Sequence, residues 1–285
     1  MEKQGFIIKG VAGTFIVETT SGVYSCTPRG VFRKRGTTPL VGDNVEITVT
    51  SEEKMLGTLH TIKPRDNKLV RPPAANIGQV IITVAVAQPS FHAGLLDRFL
   101  ALVEYENIPI LICVNKNDLK VSDEFLPYEM AGYPIIYTST LQGNGLDLLR
   151  EEMAGKLNLF AGPSGVGKSS LINALAGLQL ETGGLSLKLD RGKHTTRHTE
   201  IFKLGDKKED GYCFDTSGFS SLDLTHIQKN ELAFCFKEFR PFINECKFSN
   251  CLHNKEIGCA VKENVGAVIH LLRYEGYLKL LDLLN

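Results

Sequence analysis

The chain has 285 residues, 43% hydrophobic and 22% charged, with 32 basic against 32 acidic side chains and a formal net charge of zero. That length holds two or three domains with real cores, and the balanced charge says nothing about an acidic partner. No run reaches the roughly 18 apolar residues of a membrane helix, the first residues carry no signal-peptide pattern, and seven cysteines are too few and too uneven for a disulfide scaffold. No membrane partner and a reducing cytoplasm are therefore expected.

Residues 6 to about 67 read as short strands. Runs at 6–8, 14–18, 23–26 and 45–49 are β-rich and separated by Gly, Ser, Asn and Asp turns. Short strands without a helical period predict a small barrel of the OB type, a fold that binds RNA or DNA on a basic, partly aromatic face. Arg29, Arg33, Lys34 and Arg35 surround Phe32, so this loop is the candidate RNA contact, with Phe32 available for stacking. A solvated charged loop is the alternative. Residues 64–75, with Pro72-Pro73 inside, read as an extended linker, and the domain boundary is placed after residue 67.

A continuous apolar run at 80–86 predicts a strand buried on both faces. Residues 95–105 follow with helical spacing (Leu96, Phe99, Leu100, Val103), and 109–114 form a second buried strand. Strand, helix and strand in this order predict a parallel sheet. The second strand ends in Asn115-Lys116-Asn117-Asp118, at the carboxyl end of a sheet where ligands bind. Its chemistry suits guanine. Asp118 can accept from both N1–H and the exocyclic amine, Asn115 can bond the O6/N7 edge or brace the loop, and the Lys116 stem can lie along the base plane. A third strand at 134–137 ends in Thr138-Ser139-Thr140, where Ser139 and a backbone N–H near Thr140 are candidates to meet the base. A helix is expected over 147–153.

An apolar run at 157–161 then leads into Gly162-Pro163-Ser164-Gly165-Val166-Gly167-Lys168-Ser169, followed by Ser170 and an apolar-periodic helix start. Strand, glycine-rich turn and helix in this order make a phosphate-binding loop. Glycines let backbone N–H groups converge on phosphate. Lys168 supplies a charge to the β and γ phosphates, Ser169 a hydroxyl to Mg²⁺, and the helix start a partial positive charge. Residues 183–199 carry no period and hold His194, Thr195, Thr196 and Arg197; Thr196, with Thr195 as the alternative, is the candidate for Mg²⁺ and the γ-phosphate. Asp215-Thr216-Ser217-Gly218 follows a strand-like run. Asp215 would hold Mg²⁺ through water, and the Gly218 N–H would sense the γ-phosphate.

Near the end, Cys246, Cys251, His253 and Cys259 lie at short spacing. Three thiolates and one imidazole make a closed tetrahedral Zn²⁺ set with no open position, so the role is structural. Residues 264–284 complete this region, with Val268, Leu271, Leu272, Leu278 and Leu281 at helical spacing. Cys26, Cys113, Cys213 and Cys235 sit among apolar neighbours and read as small buried hydrophobes.

Together these motifs resemble a guanine-nucleotide-binding GTPase whose segments are circularly permuted, because 115–118 and 138–140 precede 162–169, Thr196 and 215–218. Among permuted GTPases the chain resembles the ribosome small-subunit-dependent GTPase A family (RsgA, the YjeQ/YloQ type) over nearly its whole length. The marks are the N-terminal barrel, Arg71-Pro72-Pro73, Leu96-Asp97-Arg98, the run 191–197 and the cysteine cluster. The expected architecture is multi-domain: an OB-like RNA-binding barrel at 1–67, a circularly permuted α/β P-loop GTPase domain at 68–222, and an α-helical zinc-binding module with a C-terminal helix at 223–285.

The resemblance implies a monomeric GTP hydrolase that binds GTP and GDP, the 30S ribosomal subunit and 16S rRNA. It implies hydrolysis stimulated by the subunit and coupled to release late in 30S maturation. The zinc module is expected beside the switches and in contact with rRNA. Two departures stand out. Ser217 replaces the family's usual proline, which removes a fixed φ. Phe219 stands where many GTPases carry the glutamine that orients water, so slow intrinsic hydrolysis is expected, with the subunit completing the site by ordering the loop that carries His194 and Thr196. The alternative reading is a nucleotide-gated rRNA-binding clamp in which hydrolysis is incidental.

Overall fold

The computed structural model describes residues 1–30, 32, 36–69, 72–176, 200–205, 210–215 and 224–284, the side chain of Asp215 excepted. Its strands are β1 (Glu2–Val11), β2 (Thr14–Thr19), β3 (Gly22–Pro28), β4 (Asn44–Ser51), β5 (Leu56–Ile62), β6 (Lys68–Leu69), β7 (Ala74–Ala75), β8 (Gln79–Ala85), β9 (Ile110–Asn115), β10 (Ile135–Tyr137), β11 (Leu157–Ala161), β12 (Glu200–Lys203) and β13 (Tyr212–Asp215). Its helices are α1 (Ala93–Tyr105), α2 (Leu126–Met130), α3 (Leu146–Met153), α4 (Lys168–Ala176), α5 (Lys229–Leu232), α6 (Arg240–Ile243), α7 (Ala260–Glu263) and α8 (Leu271–Leu283). Two units emerge: Met1–Gly78 with Arg150–Phe160 and Ile172–Ser220, and Gln79–Leu149 with Ala161–Leu171 and Ser221–Asn285.

In the first unit, period-two alternation builds a barrel. Ile7, Val17, Tyr24, Cys26, Val45, Ile47 and Leu59 point inward and are buried, as alternate residues of a half-buried strand must. Five strands close in the order β1-β2-β3-β5-β4 and back to β1, antiparallel except for the parallel pair β3–β5. The expected closed barrel is present. Beyond it β12 pairs with β1 at Lys9↔Glu200, and the two side chains form an ion pair of 2.8 Å. β12 and β13 form an antiparallel hairpin, and β13 runs parallel to β11. The amide of buried Asn158 donates to the carbonyls of Met153, Lys156 and Tyr212, which fixes where β11 starts.

Two expectations for this region need correction. Phe32 is only 8% exposed, so its ring belongs to the core and is not open for stacking; a phenylalanine beside a barrel gains more from burial than from water. Arg29 is exposed, while Arg33, Lys34 and Arg35 lie outside the described residues. Residues 64–75 are also not an extended linker. β6 and β7 pair with each other, Ala74 and Ala75 are fully buried, and Arg65 grips Asp43 with two nitrogens at 2.6 and 2.8 Å. Asp43 has no exposed surface, and a buried carboxylate requires such a partner. Arg71 lies outside the described residues.

In the second unit β10, β9 and β8 form a parallel sheet in that order, with β8 and β9 buried along their whole length. Helix α1 buries Leu96, Phe99, Leu100 and Val103, as its spacing predicts, and Asp97 as well. Ala101 and Leu102 join a core with Leu224, Ile227, Leu232, Phe236, Phe239 and Tyr277.

Helix α8 starts at Leu271, later than the sequence pattern suggested, with the His270 side chain accepting from the Leu272 N–H as its cap. Its buried face is Arg273, Gly276, Tyr277, Leu280 and Leu281. Val268, Leu271 and Leu272 are about half exposed, at 51%, 53% and 53%. The inward stripe of α8 includes Leu281 but also a charged residue, which an apolar count does not mark. The Arg273 guanidinium bonds Asp97 and, at 2.6 Å, Glu238, and it lies over the rings of Phe236, Tyr128 and Tyr133 at 4.6, 5.1 and 5.9 Å. Burial raises the Asp97 carboxyl pKa, with Arg273 pulling against it. Cys26, Cys113, Cys213 and Cys235 are buried and none of the four forms a disulfide, and burial lifts the Cys113 thiol to about 12.

Candidate functional site

The phosphate-type loop begins as β11 ends. Gly162 has φ +131°, and a Cβ there would run into the Thr83 carbonyl. Gly167 has φ +98°, and its Cβ would strike the Asn115 amide. No other residue type fits either position. Helix α4 opens at Lys168, with the Leu171 N–H on the Gly167 carbonyl at 2.9 Å. The Lys168 ammonium donates to the carbonyls of Gly162 and Pro163 at 2.8 and 2.6 Å. Burial lowers its pKa, since removing a cation from water disfavours the charged form. Ser169 and Ser170 are half-buried in the first helical turn, Val166 is buried, and Ser164 and Gly165 are exposed.

The 115–118 loop is joined to this turn directly. Asn115 is fully buried. Its amide donates to the Val166 carbonyl at 2.9 Å, and its oxygen accepts from the Thr138 hydroxyl at 3.1 Å. Of the two roles open to Asn115, the bracing one is the one seen. Lys116 takes φ +61° and sends its ammonium to the carbonyls of Gly165, at 2.8 Å, and Gln88. The Asn117 N–H meets the Thr138 carbonyl at 3.1 Å. The Ser139 hydroxyl donates to Asp118 and accepts from the Gln142 N–H. Ser139 is buried and Thr140 half-buried, so β9, β10 and the glycine-rich turn bring three loops to one place.

Sequence reasoning did not anticipate two parts of this arrangement. Thr138 orients Asn115, a role that a hydroxyl at the end of a buried strand could have suggested. The loop after β8 forms the wall of a cavity of about 150 Å³, which Phe91, His92 and Leu95 share with Pro163, Ser164 and Val166. Pro89 and Phe91 in an otherwise polar turn were its faint signal. His194, Thr195, Thr196, Gly218 and Phe219 lie outside the described residues; Asp215 ends β13, its side chain undescribed.

The cysteine cluster comes together over a short stretch. The ligand atoms of Cys246, Cys251, His253 and Cys259 lie within 4.8 Å of one another. Cys246 Sγ is 3.9 Å from Cys259 Sγ, and His253 Nδ1 is 3.5 and 3.4 Å from those sulfurs. A tetrahedral ion with metal–sulfur bonds near 2.3 Å and a metal–nitrogen bond near 2.0 Å needs edges of roughly 3.5–3.8 Å. The donor set fits such an ion, with Nδ1 as the nitrogen facing it. The other nitrogen, Nε2, is buried with no hydrogen-bond partner. Tyr274 and Tyr277 donate to the carbonyls of His253 and Leu252 at 2.8 and 2.7 Å, and Glu256 accepts from the N–H groups of Leu252 and Asn254. These bonds hold the knuckle against α8.

A family model described as RsgA GTPase matches residues 62–225, and one described as RsgA N-terminal domain matches residues 4–56. The chain belongs to the RsgA GTPase family. It is therefore a GTP-hydrolysing enzyme with a circularly permuted GTPase domain. The Small ribosomal subunit biogenesis GTPase RsgA of Alkaliphilus metalliredigens (strain QYMF) is 45% identical over 98% of this chain and 96% of its own. The protein of the same name from Shouchella clausii (strain KSM-K16) is 42% identical over 98% and 96%. Among solved structures, that titled as YloQ, a circularly permuted GTPase, gives a TM-score of 0.82 at 36% identity over 99% of this chain and 94% of the other. YjeQ from Thermotoga maritima gives 0.84 at 35% identity over 100% and 99%. A GTPase of this family works with Mg²⁺ on its nucleotide, and the Cys₃His set can hold a metal. Among the described residues no helix is long and apolar enough to cross a membrane.

Proposed function

We propose that this GTPase acts in biogenesis of the small ribosomal subunit, binding the 30S particle through 16S rRNA and leaving when GTP is hydrolysed. The observation that carries the nucleotide part is the bonding of Asn115 and Lys116 to the carbonyls of Val166 and Gly165. A base-reading loop and a phosphate loop held together in this way define a site for one guanine nucleotide. Gly162 to Ser170 surround the phosphates, with Lys168 leaving its carbonyl partners for the β and γ oxygens. Asn117 braces the loop, and Asp118, aimed by Ser139, reads the guanine edge beside Thr140.

Ser169, Thr196 and Asp215 hold Mg²⁺, which neutralises charge developing on the phosphates. Gly218 senses the γ-phosphate, and His194 belongs to the loop that the subunit orders. Cys246, Cys251, His253 and Cys259 hold one structural Zn²⁺, which keeps the module that meets rRNA folded. Arg29 with Arg33, Lys34 and Arg35 supplies phosphate contacts from the barrel. Its domains are 1–67, 68–222 and 223–285, and it works as a cytoplasmic monomer.

The test is steady-state GTP hydrolysis with and without purified 30S subunits, with 50S subunits as control. Stimulation by 30S alone is expected. Absence of 30S binding would remove the ribosomal part and leave a guanine-nucleotide enzyme. Phe219 favours a second reading, a nucleotide-gated rRNA clamp in which hydrolysis is incidental. Single-turnover hydrolysis on 30S separates the two, because the clamp predicts GTP-dependent binding with a flat rate.

A further inference from the structure

We propose that the outer face of the barrel, where β1, β2 and β4 meet the β12–β13 hairpin, is a seat for one unpaired nucleotide of single-stranded RNA. The seat lies within the first unit and is a cavity of about 640 Å³, inside the range of roughly 300–1,000 Å³ typical of small-ligand sites. It does not use Arg29 or its neighbours. It rests on the reading that the chain binds RNA and adds a second, chemically different contact.

Strand register explains how it forms. Phe6 pairs directly with Glu18 on β2 and with Asn44 on β4. Residues directly opposite one another share a face, and the neighbours Ile7, Val17 and Val45 are the buried ones. Glu18, Phe6 and Asn44 therefore form an outward row, extended along β1 by Gln4. On the hairpin, Lys203 pairs with Tyr212. The Tyr212 ring meets Phe6 edge to face, with centroids 5.0 Å apart at 83°, and Lys203 bonds Glu18 at 2.6 Å. Lys63 closes the rim with its ammonium on the Gln4 oxygen at 2.9 Å, and exposed Thr20 stands at the mouth.

The chemistry selects the ligand. Gln4 and Asn44 each present a donor and an acceptor, the pairing that reads a base edge. Phe6 is half-buried, and the part of its ring left open offers surface for stacking, as proteins that hold single-stranded RNA do. Lys63 and Lys203 stand where a phosphate would arrive. Glu18 neutralises one of those two cations, so the lining is too weakly positive to hold an acidic peptide by charge, while its amides and ring would go unused by one. A base with its phosphate uses all of them.

The location adds a consequence. Tyr212 begins the strand that ends at Asp215, and Lys203 ends the strand that begins at Glu200. An RNA base in this seat touches the barrel and the hairpin together.

The test measures binding of a fluorescein-labelled hexauridine and a hexaadenosine to the full chain by fluorescence anisotropy. Lys63→Glu and Thr20→Trp are each expected to weaken binding about tenfold, the scale of losing one base contact. Lys54→Glu, the same charge change on an exposed residue outside the seat, is expected to change binding less than threefold. Matching melting temperatures would show that the variants fold. A 4-thiouridine hexamer is expected to crosslink to the peptide bearing Phe6 or Tyr212.

Equal losses from Lys54→Glu and Lys63→Glu would overturn the seat, because they would show attraction by net charge alone. So would no effect of Thr20→Trp, crosslinks only elsewhere, no hexamer binding, or an octaglutamate peptide that binds with the same variant pattern. The two readings fail separately. Variant-sensitive hexamer binding without 30S binding keeps the seat and removes the ribosomal role; 30S binding with an insensitive hexamer does the reverse.

Discussion

Asn115 and Val166 touch across 51 positions of sequence, whereas the sulfurs of Cys246 and Cys259 meet across 13. The proposed nucleotide site is assembled from loops after three strands, and each loop is held by another: Asn115 by Thr138, Asp118 by Ser139, Gly165 by Lys116. It exists only when the sheet has formed. The cysteine cluster is a knuckle whose donors arrive within one short stretch and can hold a metal. The first site is pre-ordered by burial and hydrogen bonds; the second, on the function proposed above, is ordered by coordination.

Four perturbations test that contrast, in falling order of effect. Stripping the metal with a strong chelator is expected to unfold the region around Cys246–Cys259, because structural zinc contributes on the order of 10 kcal/mol to such modules. Hydrogen exchange should rise there and stay unchanged in β1–β5; a uniform rise through the barrel would break the view of the knuckle as local. Next comes Arg273→Met, which leaves Asp97 and Glu238 buried without their cation. Losing one partner of a buried pair costs about 3–5 kcal/mol, read from the midpoint of urea unfolding.

Lys168→Ala is expected to slow single-turnover GTP hydrolysis about a hundredfold, the usual loss for one stabilising donor, with the unfolding midpoint nearly unmoved. The smallest effect belongs to Asn115→Ala, at about 1–3 kcal/mol for the Val166 carbonyl left without its buried donor. Its signature is non-local: it should weaken GDP and GMP in the same proportion, because it loosens the turn and the base loop together. If GDP alone weakens, Asn115 supports only the phosphate end.

What was legible in the sequence follows the same division. Gly162 to Ser169, Asn115 to Asp118 and the Cys₃His set are runs of neighbours whose chemistry is written consecutively, and the barrel strands announce themselves by alternation. Features that depend on distant partners were hidden. Phe32 among arginines looked like a stacking residue, but its surroundings in three dimensions bury it. Residues 64–75 looked like a linker because prolines dominate the local pattern, while Arg65 answers a charge at Asp43 22 positions away. The inward place of Arg273 on α8 was not legible, because it belongs inward only if Asp97 and Glu238 are already there. Periodicity counts apolar residues and cannot see a charge that has been matched from elsewhere.

The Asp97–Arg273 contact also sets a timetable. The two residues are separated by 176 positions. At synthesis rates of about 5–20 residues per second, Asp97 leaves the ribosome about 10–35 s before its partner does. During that interval α1 can bury Leu96, Phe99, Leu100 and Val103 but has no cation for the Asp97 carboxylate. The ion pair that completes the packing of α1 therefore forms only once α8 has arrived.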